Sequence, residues 1–427
     1  MDKRKKNLLV YGGLLLFGLV SAIVLVTPHW LTVENGWIPE WRCKRLEYGL
    51  NTFREAGKFD FSHLSHTIGY VLYFPILMSK FNILSGYDMF CIAQSVSGGI
   101  VIMLYPLLMY KLFHSEVLAL ISPIIIQFTF GDLLYIDKAS EYWSGLWLLA
   151  LAFPLLFLFM KENNERKRTV ITICMALIMA LSNVLRGSSG LPVLLVFFMA
   201  IGILFLQKKI KLKRVCIYVL ICLLSFNLLG TTIPDAVADK WGYNGKLRYN
   251  SSPWFEILIG MGYIENDYGL YYSDDSCKEY IGKLYPDLVY NSEEFHEACE
   301  KEALKIIKEN PGFVIKGWFM KLGKCFQLWA EYILGNSKLT YYWHPYIFIL
   351  FALLISSILL MRQKKFGAYM KEQGTWLVLC ALAVFFSLYA GILGYPHEYY
   401  IWGSLGGLGI FLVLMCYSMI AYSMKKE

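Results

Sequence analysis

Residues 27–80 of this 427-residue chain read TPHWLTVENGWIPEWRCKRLEYGLNTFREAGKFDFSHLSHTIGYVLYFPILMSK and lie between its first two long apolar runs. This stretch holds the acids Glu34, Glu40, Glu47, Glu55 and Asp60, together with His63 and His66. A polar stretch in this position is either a solvated loop or part of a functional site. The apolar runs around it decide where it lies.

The composition is that of a membrane protein. The chain is 57% hydrophobic and only 17% charged, and its mean hydropathy is +0.48, whereas soluble domains average about 25% charged residues. Apolar runs of about 18 residues or more recur, and each can cross a hydrocarbon layer of about 30 Å. We therefore predict an all-α polytopic membrane protein. The net charge of +8 lies mostly in loops and tails, so no nucleic-acid partner is expected.

Ten membrane spans are predicted from these runs. They cover residues 7–26, 88–111, 115–131, 142–160, 169–185, 191–207, 215–233, 343–361, 376–394 and 401–423. Each loop assigned to the cytoplasm carries Lys or Arg, as the positive-inside rule requires. Both termini are then cytoplasmic, and the chain is expected in the plasma (inner) membrane.

This topology divides the chain into three parts. Residues 1–233 form an N-terminal membrane module of seven spans, in which residues 27–87 are the first outer loop. Residues 234–340 form a small outer domain, and residues 341–427 form a C-terminal membrane module of three spans. Cys277 and Cys299 fall in the outer domain, where a bridge between them is allowed but not required by their spacing.

Two amphipathic helices are predicted in the outer domain. Phe295, Cys299, Ala303 and Ile306 recur at helical spacing, so a soluble helix is expected to dock by this face. The same pattern predicts that this helix ends at Asn310–Pro311.

Residues 312–334 are apolar enough to suggest an eleventh span, but they contain Lys316, Lys321, Lys324 and Glu331. A charge at mid-bilayer costs roughly 2.5–3.5 kcal/mol on insertion scales. We therefore predict a helix on the outer membrane surface, seated on anionic lipid by its lysines. Substrate contact by Lys316 is the alternative.

Ionisable residues gather at the predicted outer membrane boundary, whereas the spans are almost free of charge. The interior polar residues are neutral: Gln94, Gln127, Asn183 and Asn227. This distribution suits a lipid-phosphate substrate, because interfacial cations neutralise the phosphate while a carboxylate acts as general base. The alternative explanation is that lipid excludes charged groups from everywhere else.

Several stretches carry a resemblance to a known family over nearly the whole chain. They are YGLNTFREAGKF, IDKASEYW, LSNVLRGSSGLP and GYPHEYYIWGSLGGLGIF. The layout resembles the GT-C class of membrane glycosyltransferases, in the bacterial branch of protein-mannosyltransferase-like and aminoarabinose-transferase-like enzymes. The resemblance implies a polyprenyl-phosphate sugar as lipid co-substrate and an extracytoplasmic acceptor, and it leaves a divalent metal open.

The resemblance breaks down at the family's acidic motif. An Asp or Asp-Glu pair is expected fourteen or fifteen residues before the glycine matching Gly57, but Arg42 and Cys43 occupy those positions. The nearest acids are Glu40 and Glu47, which would share a face on a helix. We predict Glu40 as the catalytic base and Glu47 as the alternative.

The other candidate substrate-binding residues are Asp137, Glu141, Arg186, His66, Lys316, His397 and Glu398. Arg186 binds the donor phosphate in this prediction, or else snorkels at a helix end. Asp137 orients the acceptor or a metal, or caps span four. His397 and Glu398 contact substrate, or occupy a solvated turn.

These expectations combine into an inverting glycosyltransferase. Two alternatives stay open. An O-antigen-type polysaccharide polymerase or ligase would rely on arginines in two large outer loops. A lipid or glycan flippase, which is not an enzyme, would need a hydrophilic path through the helices.

Overall fold

The computed structural model describes residues 3–32, 86–127, 147–185, 190–240, 253–290, 292–333, 345–394, 396 and 398–424. Within these ranges the regular elements are all helices. The first group comprises α1 (Lys3–Thr32), α2 (Gly86–Phe113), α3 (Glu116–Ile126), α4 (Ala152–Lys161), α5 (Glu165–Leu185), α6 (Gly190–Leu206) and α7 (Leu212–Asn227). A π-helical turn, Leu228–Thr232, continues α7 into α8 (Ile233–Lys240).

Two further groups of helices complete the described chain. A middle segment, residues 253–333, contains α9 (Pro253–Met261), α10 (Asp274–Leu284), α11 (Glu293–Glu309) and α12 (Pro311–Ile333). The last group comprises α13 (Pro345–Arg362), α14 (Phe366–Phe386), α15 (Tyr389–Leu393) and α16 (Glu398–Ser423).

Five described helical stretches are long and apolar enough to cross a membrane: Ser95–Phe113, Glu165–Val184, Leu212–Ala236, Phe366–Leu393 and Gly406–Ser423. The shorter apolar helices are Leu9–Leu25, Glu116–Ile126, Trp147–Lys161, Gly190–Leu206 and Phe348–Arg362. Each predicted span overlaps one of these stretches. The chain is therefore a helical protein of the membrane-embedded kind, while ten crossings and their direction stay predictions.

The apolar helices pack side by side around one core. α1 lies along α2, α5 contacts α6 and α7, and α14 lies between α6 and α16. Aromatic side chains fill the centre. The rings of Phe157 and Trp376 pack edge to face there, with their centroids 4.6 Å apart. A Cβ at Gly18 would overlap the backbone of Met103, so α1 and α2 approach closely at that glycine. Small residues serve the same purpose in membrane helix pairs generally.

The middle segment has its own apolar core, formed mainly by α9, α10 and α11. The predicted docking face of α11 is confirmed, since Phe295, Cys299, Ala303 and Ile306 are all buried. Ser292 caps the start of this helix by accepting a hydrogen bond from the backbone N–H of Phe295. The predicted end is also confirmed, because α11 stops at Glu309 and Pro311 begins α12.

Candidate functional site

Most residues predicted to form the site lie outside the described ranges. These residues are Glu40, Glu47, His66, Asp137, Glu141, Arg186 and His397. Their roles stay predictions. Of the remaining two, Lys316 lies exposed on α12, and Glu398 is the first residue of α16.

The helix predicted over residues 312–334 is present as α12, and it has two distinct faces. Large apolar side chains are exposed on one of them: Ile315, Phe319, Met320 and Phe326. The other face buries Val314, Lys321 and Cys325, which are spaced seven and four residues apart and so lie on one side of the helix. An exposed apolar face of this kind is what a helix at a membrane surface requires.

The prediction that Lys321 contacts lipid is wrong. Lys321 is only 1% exposed. Its Nζ donates hydrogen bonds to three backbone carbonyl oxygens, at 3.1 Å for Gly260, 3.0 Å for Leu393 and 3.2 Å for Gly394. The lysine therefore joins α12 to α9 within the middle segment and to the end of α15 in the last group of helices.

The three acceptors lie where two helices end. Gly260 is in the last turn of α9, while Leu393 and Gly394 are the last residue and the C-cap of α15. Carbonyl groups at helix C-termini lack intrahelical partners and carry partial negative charge. An ammonium group has three N–H donors, which matches three such acceptors.

Two glycines make this arrangement sterically feasible. A Cβ at Gly260 would lie 2.7 Å from Nζ of Lys321 and would overlap the carbonyl oxygen of Gly394. A Cβ at Gly394 would lie 3.1 Å from the carbonyl oxygen of Ala390 and 3.3 Å from Cβ of Glu256. The helix ends therefore approach closely because neither position carries a side chain.

Two opposing effects act on the proton of Lys321. Burial disfavours the charged form and lowers the pKa of Lys321 to about 7. The three carbonyl acceptors favour the ammonium form, because the neutral amine has only two N–H donors. Since its nitrogen bonds to three carbonyl oxygens, Lys321 holds the ends of α9 and α15 against α12.

A second polar contact ties α12 to the last helix. Nε1 of Trp329 donates a hydrogen bond of 2.9 Å to Oγ of the buried Ser404 on α16. α12 thus contacts α15, which precedes the link containing His397, and also α16, which follows it. The described structure therefore places α12 against the two helices that flank residues 395–397.

Neutral polar atoms are buried beside two of the other predicted loops. Gln127 at the end of α3 and Ser182 and Asn183 near the end of α5 carry buried side-chain oxygens without a hydrogen-bond partner among the described residues. Asn183 lies three residues before Arg186. Buried charged residues in the described ranges are Arg168, Glu302 and Lys321, none of which lies within a predicted span.

Known proteins give no independent assignment. No family model, no curated protein and no solved structure matches this chain. Among the described residues, no group of three or more His, Cys, Asp or Glu side chains could hold a metal ion. The resemblance to GT-C enzymes therefore rests on the sequence stretches quoted above.

Proposed function

We propose that this protein is an integral-membrane glycosyltransferase that moves a monosaccharide from a polyprenyl-phosphate donor to an acceptor outside the cytoplasm. The observation that carries the proposal is the distribution of charge. Five acids lie in residues 27–80, next to apolar helices. In the described chain, buried charges occur only outside the predicted spans. An enzyme working on a lipid-phosphate head group needs its ionisable groups at the membrane boundary.

The proposed reaction is a single displacement at the anomeric carbon. The carboxylate of Glu40, or of Glu47, removes the proton from the acceptor hydroxyl. The acceptor oxygen then bonds to the anomeric carbon, and the bond from that carbon to the lipid phosphate breaks. Arg186 stabilises the departing phosphate. One displacement inverts the configuration of the sugar.

The neutral interior of the helices supports this assignment over a flippase. A polar lipid head group crossing the bilayer needs a hydrophilic path, and ionisable residues at membrane depth commonly mark such paths. The described parts of the predicted spans bury Ser, Thr, Gln and Tyr side chains and no charged side chain, since the buried Arg168 lies just before the fifth predicted span. A donor that stays at one boundary requires no such path.

The test is sugar release from a panel of polyprenyl-phosphate sugars by purified protein in detergent. Glu40→Gln and Glu47→Gln are compared with the wild type, and Glu55→Gln is the matched control because it removes a carboxylate from the same loop. We expect one of the first two variants to lose at least about 100-fold in rate, as loss of a general base typically does. Glu55→Gln should keep the wild-type rate.

The other outcomes separate the alternatives. Turnover that survives both substitutions keeps the class and moves the base to Asp137. Elongation of a lipid-linked glycan without use of a monosaccharide donor identifies a polymerase or ligase. Movement of labelled lipid across vesicle membranes without hydrolysis or transfer identifies a flippase and overturns the proposal.

A further inference from the structure

Two contacts hold α12 where the apolar helices end. Lys321 bonds to the carbonyl oxygen of Leu393, the last residue of a stretch long and apolar enough to cross a membrane. Trp329 bonds to Ser404, two residues before another such stretch begins at Gly406. The two contacts are eight residues apart on α12, which is about 12 Å along a helix axis. α12 therefore runs along the end of the bundle of apolar helices and not through it.

The buried side of α12 joins two apolar cores. Val314, near the start of the helix, belongs to the core of the middle segment. Cys325 belongs to the core of the apolar helices, and Leu322 and Leu328 pack against that same core. The second half of α12 thus lies directly against helices that suit a lipid environment. Its exposed side chains adjoin the surface that those helices present to lipid.

The rest of the surface of α12 divides into an apolar stripe and a polar stripe. Ile315, Phe319 and Phe326 are exposed and lie four and seven residues apart, so they form the apolar stripe. The polar side chains share the neighbouring side of the helix, and hydrogen bonds of 3.2 Å and 2.6 Å join three of them. This polar stripe comprises Lys316, Lys324, Gln327 and Glu331. Apolar and cationic stripes side by side are typical of a helix that lies in a membrane interface.

We propose that α12 lies on the surface of a phospholipid bilayer and binds it through both stripes. The apolar stripe, Ile315, Phe319 and Phe326, inserts among the acyl chains. Lys316 and Lys324 bind the head groups of anionic phospholipids. The inference does not rest on the proposed activity, because it uses only the position and the side chains of α12.

Charge determines which part of the middle segment an anionic surface attracts. Residues 253–310 hold thirteen acids and five lysines, whereas α12 holds three lysines and one acid. One of those lysines, Lys321, is buried, so Lys316 and Lys324 supply the attraction. Lysines near an anionic membrane surface contribute to binding individually. α12 is therefore the side of the middle segment that faces the bilayer, and the acidic helices face away from it.

Hydroxyl-radical footprinting tests the orientation of α12 without any substitution. Wild-type protein in phospholipid nanodiscs is oxidised briefly, and the oxidation of each residue is compared with that in denatured protein. We expect Phe319 and Phe326 to be protected, although 70% and 43% of these residues are exposed in the isolated chain. Met320 is the internal control. It is 49% exposed and lies four residues from both Lys316 and Lys324, so it should keep much of its reactivity. Equal protection of Met320 and Phe319 would overturn the proposal.

Photo-crosslinking identifies what covers the apolar stripe. Benzoylphenylalanine replaces Phe319 or Phe326 in the full-length protein, in nanodiscs of phosphatidylcholine and phosphatidylglycerol without polyprenyl lipid. We expect phospholipid adducts at both positions, and fewer when the same residue replaces Gln327 on the polar stripe. Cross-links to a second copy of the chain or to another protein, or no adduct at either position, would overturn the proposal.

The head groups of these adducts test the two lysines. In nanodiscs with equal amounts of the two lipids, adducts at position 319 should favour phosphatidylglycerol by about threefold. Combining Lys316→Gln with Lys324→Gln should bring this ratio close to one. Lys308→Gln, which removes an exposed lysine from α11, is the matched control and should leave the ratio unchanged. A preference that survives the double substitution would refute the assigned role of Lys316 and Lys324.

Discussion

Two cations are buried in the described chain, and each donates hydrogen bonds to carbonyl groups near helix ends. Arg168 on α5 donates from Nε to the carbonyl oxygen of Phe159 at 3.4 Å and from Nη2 to that of Glu162. These acceptors are nine and six residues away along the chain. The acceptors of Lys321 are 61, 72 and 73 residues away.

The two sites differ in access to water. Glu162 is only partly buried and is followed by exposed Asn163 and Asn164, so this acceptor of Arg168 lies beside solvent, whereas Phe159 is buried. Gly260 and Gly394 are buried, and Lys321 is almost completely buried. A carbonyl that loses its donor near solvent can bond to water, whereas a sealed one cannot. Removing each cation should therefore have very different costs.

The largest expected effect is that of Lys321→Met at pH 8. The substitution keeps an unbranched chain but removes the lysine donor from three carbonyls. The carbonyl of Gly260 still accepts from the backbone N–H of Tyr263 at 3.3 Å, whereas those of Leu393 and Gly394 lose their donor, at a cost of about 1–3 kcal/mol each. We expect the free energy of unfolding to fall by about 3 kcal/mol, measured by denaturant titration in detergent micelles.

Lys324→Met is the matched control for that measurement. Lys324 lies three residues further along the same helix, and it donates to Oε1 of Gln327 at 3.2 Å on the exposed side. Its loss should change stability by less than about 0.5 kcal/mol, as for other surface positions. Equal effects of the two substitutions would mean that the buried contacts of Lys321 contribute nothing specific.

A pH titration sharpens the comparison, because Lys321 has a pKa of about 7 in the folded protein against a usual value of 10.5. Between about pH 7 and 10.5 the unfolded chain binds more protons at this residue than the folded chain. The free energy of unfolding should therefore rise with pH, by at most about 1.4 kcal/mol per pH unit, and level off below pH 7. Burial raises the pKa of the neighbouring Cys325 to about 11, so that thiol stays protonated over most of this range.

The measurement is unfolding of wild type and Lys321→Met from pH 6 to 9.5. For each protein, the free energy of unfolding is plotted against pH. The difference between the two slopes isolates the contribution of Lys321, because all other titrating groups are common to both proteins. A wild-type slope that the substitution leaves unchanged would show that Lys321 keeps its proton throughout.

The contrast between these sites also explains what the sequence could predict. The docking face of α11 and its end at Asn310–Pro311 follow from patterns within one helix, and both predictions are confirmed. The partners of Lys321 lie on helices more than 60 residues away, and the acceptors are backbone carbonyls, which carry no side-chain signature. The one available signal was that Lys321 shares a helix face with Val314 and Cys325, whereas a lipid-seating lysine should share its face with exposed residues.

Arg168→Met should destabilise the protein much less than Lys321→Met. The guanidinium bridges the end of α4 to the start of α5, and the partly buried carbonyl of Glu162 can bond to water once the guanidinium is gone. We expect a loss of about 1 kcal/mol, comparable to the loss of a helix cap. Arg166→Met, which removes an exposed arginine two residues earlier, controls for the change in charge. A loss as large as that of Lys321→Met would show that the α4–α5 turn is sealed from water, and the distinction between the two cations would then be one of sequence separation only.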